Sequence, residues 1–189
     1  MNTLVDEKTL VTHLKTDSQR EAAFRTLISQ YKERLYWHIR GIVLNHDDSD
    51  DVLQNTFIKV FRNIEKFKGD SKLYTWMYRI ATNESINFIN KRAKLQAISS
   101  EEIRDRIVNS LESDVYFEGS QIQLSLQKAI ATLPEKQRLV FNMKYFEEHT
   151  YEELSEILET SVGALKSSYH IAVKKITEHL NTTETFLHE

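Results

Sequence analysis

The residues best equipped for chemistry lie between positions 67 and 92. Phe67, Tyr74, Trp76, Tyr78 and Phe88 are interleaved there with Lys68, Lys72, Arg79, Lys91 and Arg92. Flat aromatic faces beside cations suit unpaired nucleic-acid bases: a ring stacks on the base while a cation holds the phosphate, each stack contributing about 1–3 kcal/mol. Asn83 and Asn87 are one helical turn apart, so their amides share a face and can read a base edge. The blander assignment puts Trp76, Ile80 and Phe88 in a core beneath a charged exterior, and Trp76 by itself favours it. The charge of the whole segment does not. Residues 59–94 hold nine basic and three acidic side chains in a chain whose formal net charge is −3. Residues 1–58, 95–132 and 133–160 are each net acidic and residues 161–189 are neutral. A phosphate-binding footprint is therefore confined to one segment.

A second constellation lies near the C-terminus. Val162, Leu165, Tyr169, Ala172, Val173 and Ile176 form one helical stripe, leaving Gly163, Ser167, His170 and Lys174 on the opposite face with Ala164 and Lys166 flanking. Preceded by a short helix burying Leu154, Ile157 and Leu158, this makes a helix-turn-helix. Its second helix carries the short polar N-terminal residues and cations that a major groove requires. A helical hairpin with a solvated face fits the same spacing. A third set, Asp51, Gln54, Asn55 and Ile58, forms the outward face of another helix, where an exposed Ile among polar groups suits a protein partner.

Catalytic readings find little support. The four glycines are scattered and form no phosphate cradle, the seven histidines show no metal-ligand spacing, and no cysteine is present. Adjacent acids such as Asp47-Asp48 and Glu152-Glu153 complement helix N-termini. No catalytic residue, metal or cofactor is expected, nor a small-molecule substrate. The N-terminus carries no basic region followed by an apolar run, and no stretch approaches the roughly 18 apolar residues that span a bilayer. A cytoplasmic protein with no direct membrane insertion is the expectation.

These side chains must be positioned by helices, since 189 residues with only four Gly and one Pro lack the punctuation of a sheet protein. Apolar periodicity predicts helices over about 20–45, from an Asp48 or Ser49 cap to Ile64, and from Leu73 to Ala93. The second of these should bury Val52, Leu53, Phe57, Val60, Phe61 and Ile64. A polar, acidic stretch follows. The period returns at Ile122, with a Thr132 cap and Pro134 early in the next helix, a Thr150/Glu153 capping box, and a last helix from Ser161 to about Leu180. The predicted fold is all-α: two small helical domains, 1–94 and 121–189, joined by a linker over 95–120, the second a four-helix-type domain with the helix-turn-helix.

Taken in order, these motifs resemble the extracytoplasmic-function (group 4) sigma factors of bacterial RNA polymerase, in the sigma-70 family. Phe67–Asn83 matches the family's signature around promoter melting, Asp51–Phe61 its polymerase-binding helix, and Leu133–Arg138, Tyr151–Leu158 and Ser161–Ser168 its second domain. The resemblance covers about residues 20–180. It implies that Asp51, Gln54, Asn55 and Ile58 dock on the β′ clamp helices of core polymerase. It implies that the loop from Lys68 through Gly69, Asp70, Ser71 and Tyr74 to Thr75, backed by Trp76, captures a flipped base of the −10 element. Asn83 and Asn87 would help to read that element, and Arg79, Lys91 and Arg92 would hold phosphates. The helix of Ser161, Gly163, Ala164, Lys166, Ser167, His170 and Lys174 would enter the −35 major groove, with the second domain near the β flap. A membrane-anchored anti-sigma partner is also implied. The chain departs from the family in having Asn55 where Glu is frequent, and Ala164 and Ser168 where Thr and Arg are frequent. Judged on the residues alone, a two-module regulator that binds duplex DNA without core polymerase, or a helical adaptor without a nucleic-acid role, also remains open.

Overall fold

Residues 6–96, 102 and 121–187 are described by a computed structural model, in which the described residues form helices and no strand. Of the expected linker, residues 97–101 and 103–120 lie outside the described residues. No described helix is long and apolar enough to cross a membrane. The chain divides into two compact units, residues 1–88 with Glu156–Leu158, and residues 89–155 with 159–189.

The first unit begins with a helix that periodicity did not reveal, α1 (Glu7–Leu14), capped by Asp6, whose carboxylate accepts the Thr9 N–H at 3.2 Å. Leu10 and Leu14 anchor it in the core. α2 (Arg20–Val43) and α3 (His46–Asn63) pack against one another. The turn between them is two residues long because Leu44, at φ 64°, halts α2 in a left-handed conformation. The next residue, Asn45, then caps α3 by accepting the Asp48 N–H at 3.0 Å. The cap thus stands earlier than the expected Asp48 or Ser49. Asp47 and Asp48 lie in the first turn, facing the positive end of the helix dipole, and the buried Ser49 hydroxyl donates back to the Asn45 carbonyl.

α3 buries Val52, Leu53, Phe57 and Val60 as its period predicts, and Ile64 is buried in the 3-10 turn that follows (Ile64–Lys66). Phe61 does not follow suit. It is 40% exposed, its ring meeting that of Phe24 edge to face at 4.9 Å between centroids. α4 (Leu73–Gln96) runs three residues beyond the expected end and buries Leu73, Met77, Tyr78 and Ala81.

The second unit holds α5 (Gln121–Ala131), α6 (Glu135–Tyr145), α7 (Tyr151–Leu158) as far as Ser155, and α8 (Val162–Leu187). Ala129, Ile130, Leu133, Phe141, Ala172 and Ile176 form its core, with Leu126, Tyr169 and Leu180 packed against it. Thr132 is not the cap of α6. Its hydroxyl donates to the Ala129 carbonyl at 2.7 Å, satisfying the end of α5 instead, and Pro134 occupies the cap position without a side-chain bond. α8 continues past the expected end at Leu180 to Leu187, and Val173, assigned to the inward stripe, is 38% exposed.

Candidate nucleic-acid and polymerase interfaces

The loop before α4 is built by its two ends. Phe67 is buried, its ring 5.3 Å from that of Trp76, so the chain enters the loop from the core. Lys68, Gly69 and Asp70 are exposed and Ser71 is half-buried. Gly69 has φ +82°, a conformation disfavoured for L side chains, and nothing lies within 4 Å of the position a Cβ would take. Lys72 is exposed, its ammonium 5.4 Å from the Tyr74 ring centroid. Leu73 then opens α4 and donates its N–H to the Glu7 carboxylate at 2.7 Å.

Along α4, Arg79, Asn83, Asn87 and Lys91 recur every four residues, forming an inclined ridge on the helix surface. Asn83, Asn87 and Lys91 are exposed, and Arg79 and Arg92 are half-buried. Lys91 and Arg92 lie past Phe88, in the stretch that groups with the second unit. Two residues of the expected −10 set face inward. Trp76 is half-buried against Phe67, so the packing role that its residue type favoured is at least partly filled. Thr75 is 1% exposed, and its hydroxyl has no hydrogen-bond partner among the described residues. Thr75 therefore cannot touch DNA from this conformation.

On α3, Asp51, Gln54, Asn55 and Ile58 are all exposed. Their spacing of three and four residues puts them on one face. Phe61 extends that face by three residues beyond Ile58. Sequence periodicity assigned it to the core, although the same three-residue step from Ile58 could have placed it here.

In the second unit, Thr150 accepts the Glu153 N–H at 3.1 Å while Glu153 accepts the Thr150 N–H at 3.0 Å, the reciprocal box that opens α7. Glu159 at φ 51° makes the turn into α8, where the Ser161 hydroxyl accepts the Ala164 N–H at 3.4 Å. Gly163, Ala164, Lys166, Ser167, His170 and Lys174 are exposed along α8, as the period requires. The Ser167 hydroxyl donates to the Gly163 carbonyl at 3.1 Å, Lys166 sits 5.5 Å from the Tyr151 ring centroid, and Lys174 is within 3.8 Å of Glu178. The last pair is solvent-exposed and weak, so Lys174 can be drawn to a phosphate at little cost. Sequence reasoning missed Tyr151, which lies between Lys166 and Lys144, the latter 5.2 Å from its ring. Burial, then the neighbouring Tyr169, hold the Tyr151 hydroxyl above its ordinary pKa of 10.0.

An all-helical fold with an exposed basic loop and helix in one unit and a helix-turn-helix in the chain is the architecture of a DNA-reading transcription protein. The chain belongs to the extracytoplasmic-function sigma factors of the sigma-70 family. Residues 27–95 match sigma-70 region 2 and residues 123–176 match sigma-70 region 4. The chain is 30% identical over 155 residues to the ECF RNA polymerase sigma-E factor of Haemophilus influenzae, covering 77% of this chain and 80% of that protein. It is also 30% identical over 157 residues to the ECF sigma factor SigW of Bacillus subtilis, covering 78% and 83%. In fold it is similar to CnrH, solved in complex with the cytosolic domain of CnrY, with a TM-score of 0.66 at 19% identity over 93% of this chain and 97% of that one. It is likewise similar to the sigma factor RpoE of Bartonella quintana, solved with the anti-sigma factor NepR, with a TM-score of 0.64 at 22% identity over 84% and 96%. As a sigma factor it binds core RNA polymerase and recognises promoter DNA, and a regulator acting without polymerase is not favoured.

Proposed function

We propose that the chain divides promoter recognition between two modules, residues 1–94 for polymerase docking and the −10 element and residues 121–189 for the −35 element. In the first, Asp51, Gln54, Asn55 and Ile58 dock on the β′ clamp helices. The loop Lys68–Lys72, with Tyr74 beside it, takes a flipped base, and Arg79, Asn83, Asn87, Lys91 and Arg92 hold the strand; the buried Thr75 supports the loop from behind. In the second, α8 enters the major groove with Gly163, Ala164, Lys166, Ser167, His170 and Lys174 outward, and the module abuts the β flap. The observation that carries this reading is that one unit presents a polar face centred on an exposed Ile58 together with an outward loop turning at a left-handed Gly69.

The charge distribution supports dependence on polymerase. The net-acidic segments flanking the basic stretch 59–94 repel duplex DNA and weaken binding by the free chain. Two weak modules gain avidity only when something fixes their spacing. The protein then works in the cytoplasm with polymerase and performs no catalytic step of its own. The structures solved with the anti-sigma factor NepR and with the cytosolic domain of CnrY support an anti-sigma partner for this chain, to which we assign a membrane anchor of its own. Run-off transcription with purified core enzyme on a promoter library tests the assignment. Initiation should require both chain and core and should yield a −10 and a −35 consensus. Nanomolar sequence-specific duplex binding by the free chain would count against it.

A further inference from the structure

We propose that α1 is a strap that sets base selectivity in the loop between α3 and α4, with Glu7 and Lys15 as its positioning residues. This inference rests on the reading that the loop captures an unpaired base. α1 lies outside the residues that match sigma-70 region 2, which begin at position 27.

Both ends of the loop are held by α1 or the residue that follows it. The Lys15 ammonium donates to the Phe67 carbonyl at 2.6 Å, where the chain leaves the core, and the Glu7 carboxylate accepts the Leu73 N–H at 2.7 Å, where α4 begins. Both bonds are half-buried, so they are less exposed to exchange with water than a surface pair. Glu7 does for α4 what an N-cap side chain does locally: it satisfies an orphan first-turn donor and places a negative charge at the positive end of the dipole. The strap is itself fixed. Leu10 and Leu14 are each 1% exposed. Arg20 donates from Nε to the Leu14 carbonyl at 3.0 Å and pairs with Glu65 in the 3-10 turn just before Phe67.

Between these grips the turn itself is open. At Gly69 nothing lies within 4 Å of an added Cβ, so packing does not set the loop's shape at its turn. A segment tethered at its ends takes its course from the separation and direction of those ends. Releasing either one should let Lys68–Lys72 sample several courses, and a pocket that samples several courses accepts several bases.

The test uses the full chain assembled with core polymerase, comparing wild type with E7Q, E7L, K15R and K15M. Holoenzyme binding to single-stranded −10 oligonucleotides, with each base in turn at each position, gives a best-to-worst base ratio. E7Q retains an oxygen acceptor and K15R retains a donor, so both should keep the wild-type ratio. E7L and K15M should bind core as wild type does while losing about fivefold or more in the ratio at one position. An unchanged ratio in E7L and K15M overturns the inference. So does a loss spread evenly over all positions, or one that follows core affinity, since α1 would then be only a strut. If the wild-type holoenzyme itself shows no base preference, the reading of the loop fails instead, and the wild-type arm alone reveals it.

Discussion

His38 and Thr82 meet in the interior of the first unit, with Nε2 of the imidazole 2.8 Å from the threonine hydroxyl. The hydroxyl has one proton and donates it to the Tyr78 carbonyl at 2.8 Å. Its oxygen is therefore the acceptor for His38, which fixes a proton on Nε2. The pair ties α2 to α4 and so holds the helix that carries Asn83.

Thr82→Val keeps the shape and deletes the acceptor, leaving a buried N–H without its partner at a cost of about 1–3 kcal/mol. In a His38→Leu background the same change should cost much less, because the donor has gone too. Urea denaturation of the four proteins gives the coupling, and additive losses would contradict the assigned bond.

Gly69→Ala should destabilise through the backbone alone. No neighbour clashes with the new methyl, but φ +82° disfavours an L side chain by about 1–2 kcal/mol. Gly69→Asn should be milder, since Asn tolerates this region. Thermal unfolding of the two variants checks the order; equal stability of wild type and Ala would mean that the loop readily adopts another course.

Ile58→Glu and Asn83→Ala should separate docking from promoter reading. Both side chains are exposed, so each unfolding free energy should stay within about 0.5 kcal/mol of wild type. Ile58→Glu should weaken core binding in a competition assay. Asn83→Ala should bind core normally and lose about 1–3 kcal/mol in promoter binding or opening. A swap of these effects would exchange the two proposed roles. Trp76→Ala is a poorer probe, because it also unpacks Phe67.

Tyr31 should report the charge of Glu7. Burial, then the Glu7 carboxylate, hold its hydroxyl above the ordinary 10.0, against a lowering influence from Arg34. Because the folded pKa is raised, the stabilisation is complete below about pH 10, where the unfolded tyrosine begins to ionise, and is lost as pH rises through the folded value. Glu7→Gln should move the tyrosinate absorbance transition of Tyr31, identified by its absence in Tyr31→Phe, to lower pH. No movement would mean that the carboxylate does not lie near Tyr31 in solution.

The helices were legible wherever the signal was local. Apolar spacing located α2, α3 and α4, and Thr150 with Glu153 announced α7, because each cap or stripe lies within a few residues of what it satisfies. The outward residues of α3 and α8 followed from the same period. Periodicity cannot say what covers a face, so Phe61 and Val173 were assigned inward though both are exposed; the family resemblance, which carries no burial, put Thr75 at a DNA surface though it is buried. Local competition misled elsewhere: Asn45 outran Asp48 as a cap, and Thr132 closed α5 rather than opening α6.

What the sequence determined by itself was the helices from α2 onward, the order of the motifs and the chemistry they offer, since these depend on neighbours along the chain. What only the tertiary structure decided was how the loop before α4 is held. Glu7 and Leu73 are 66 positions apart, and Lys15 and Phe67 are 52. A bond across that distance leaves no trace in spacing, because folding around Leu10 and Leu14 is what brings α1 to the loop.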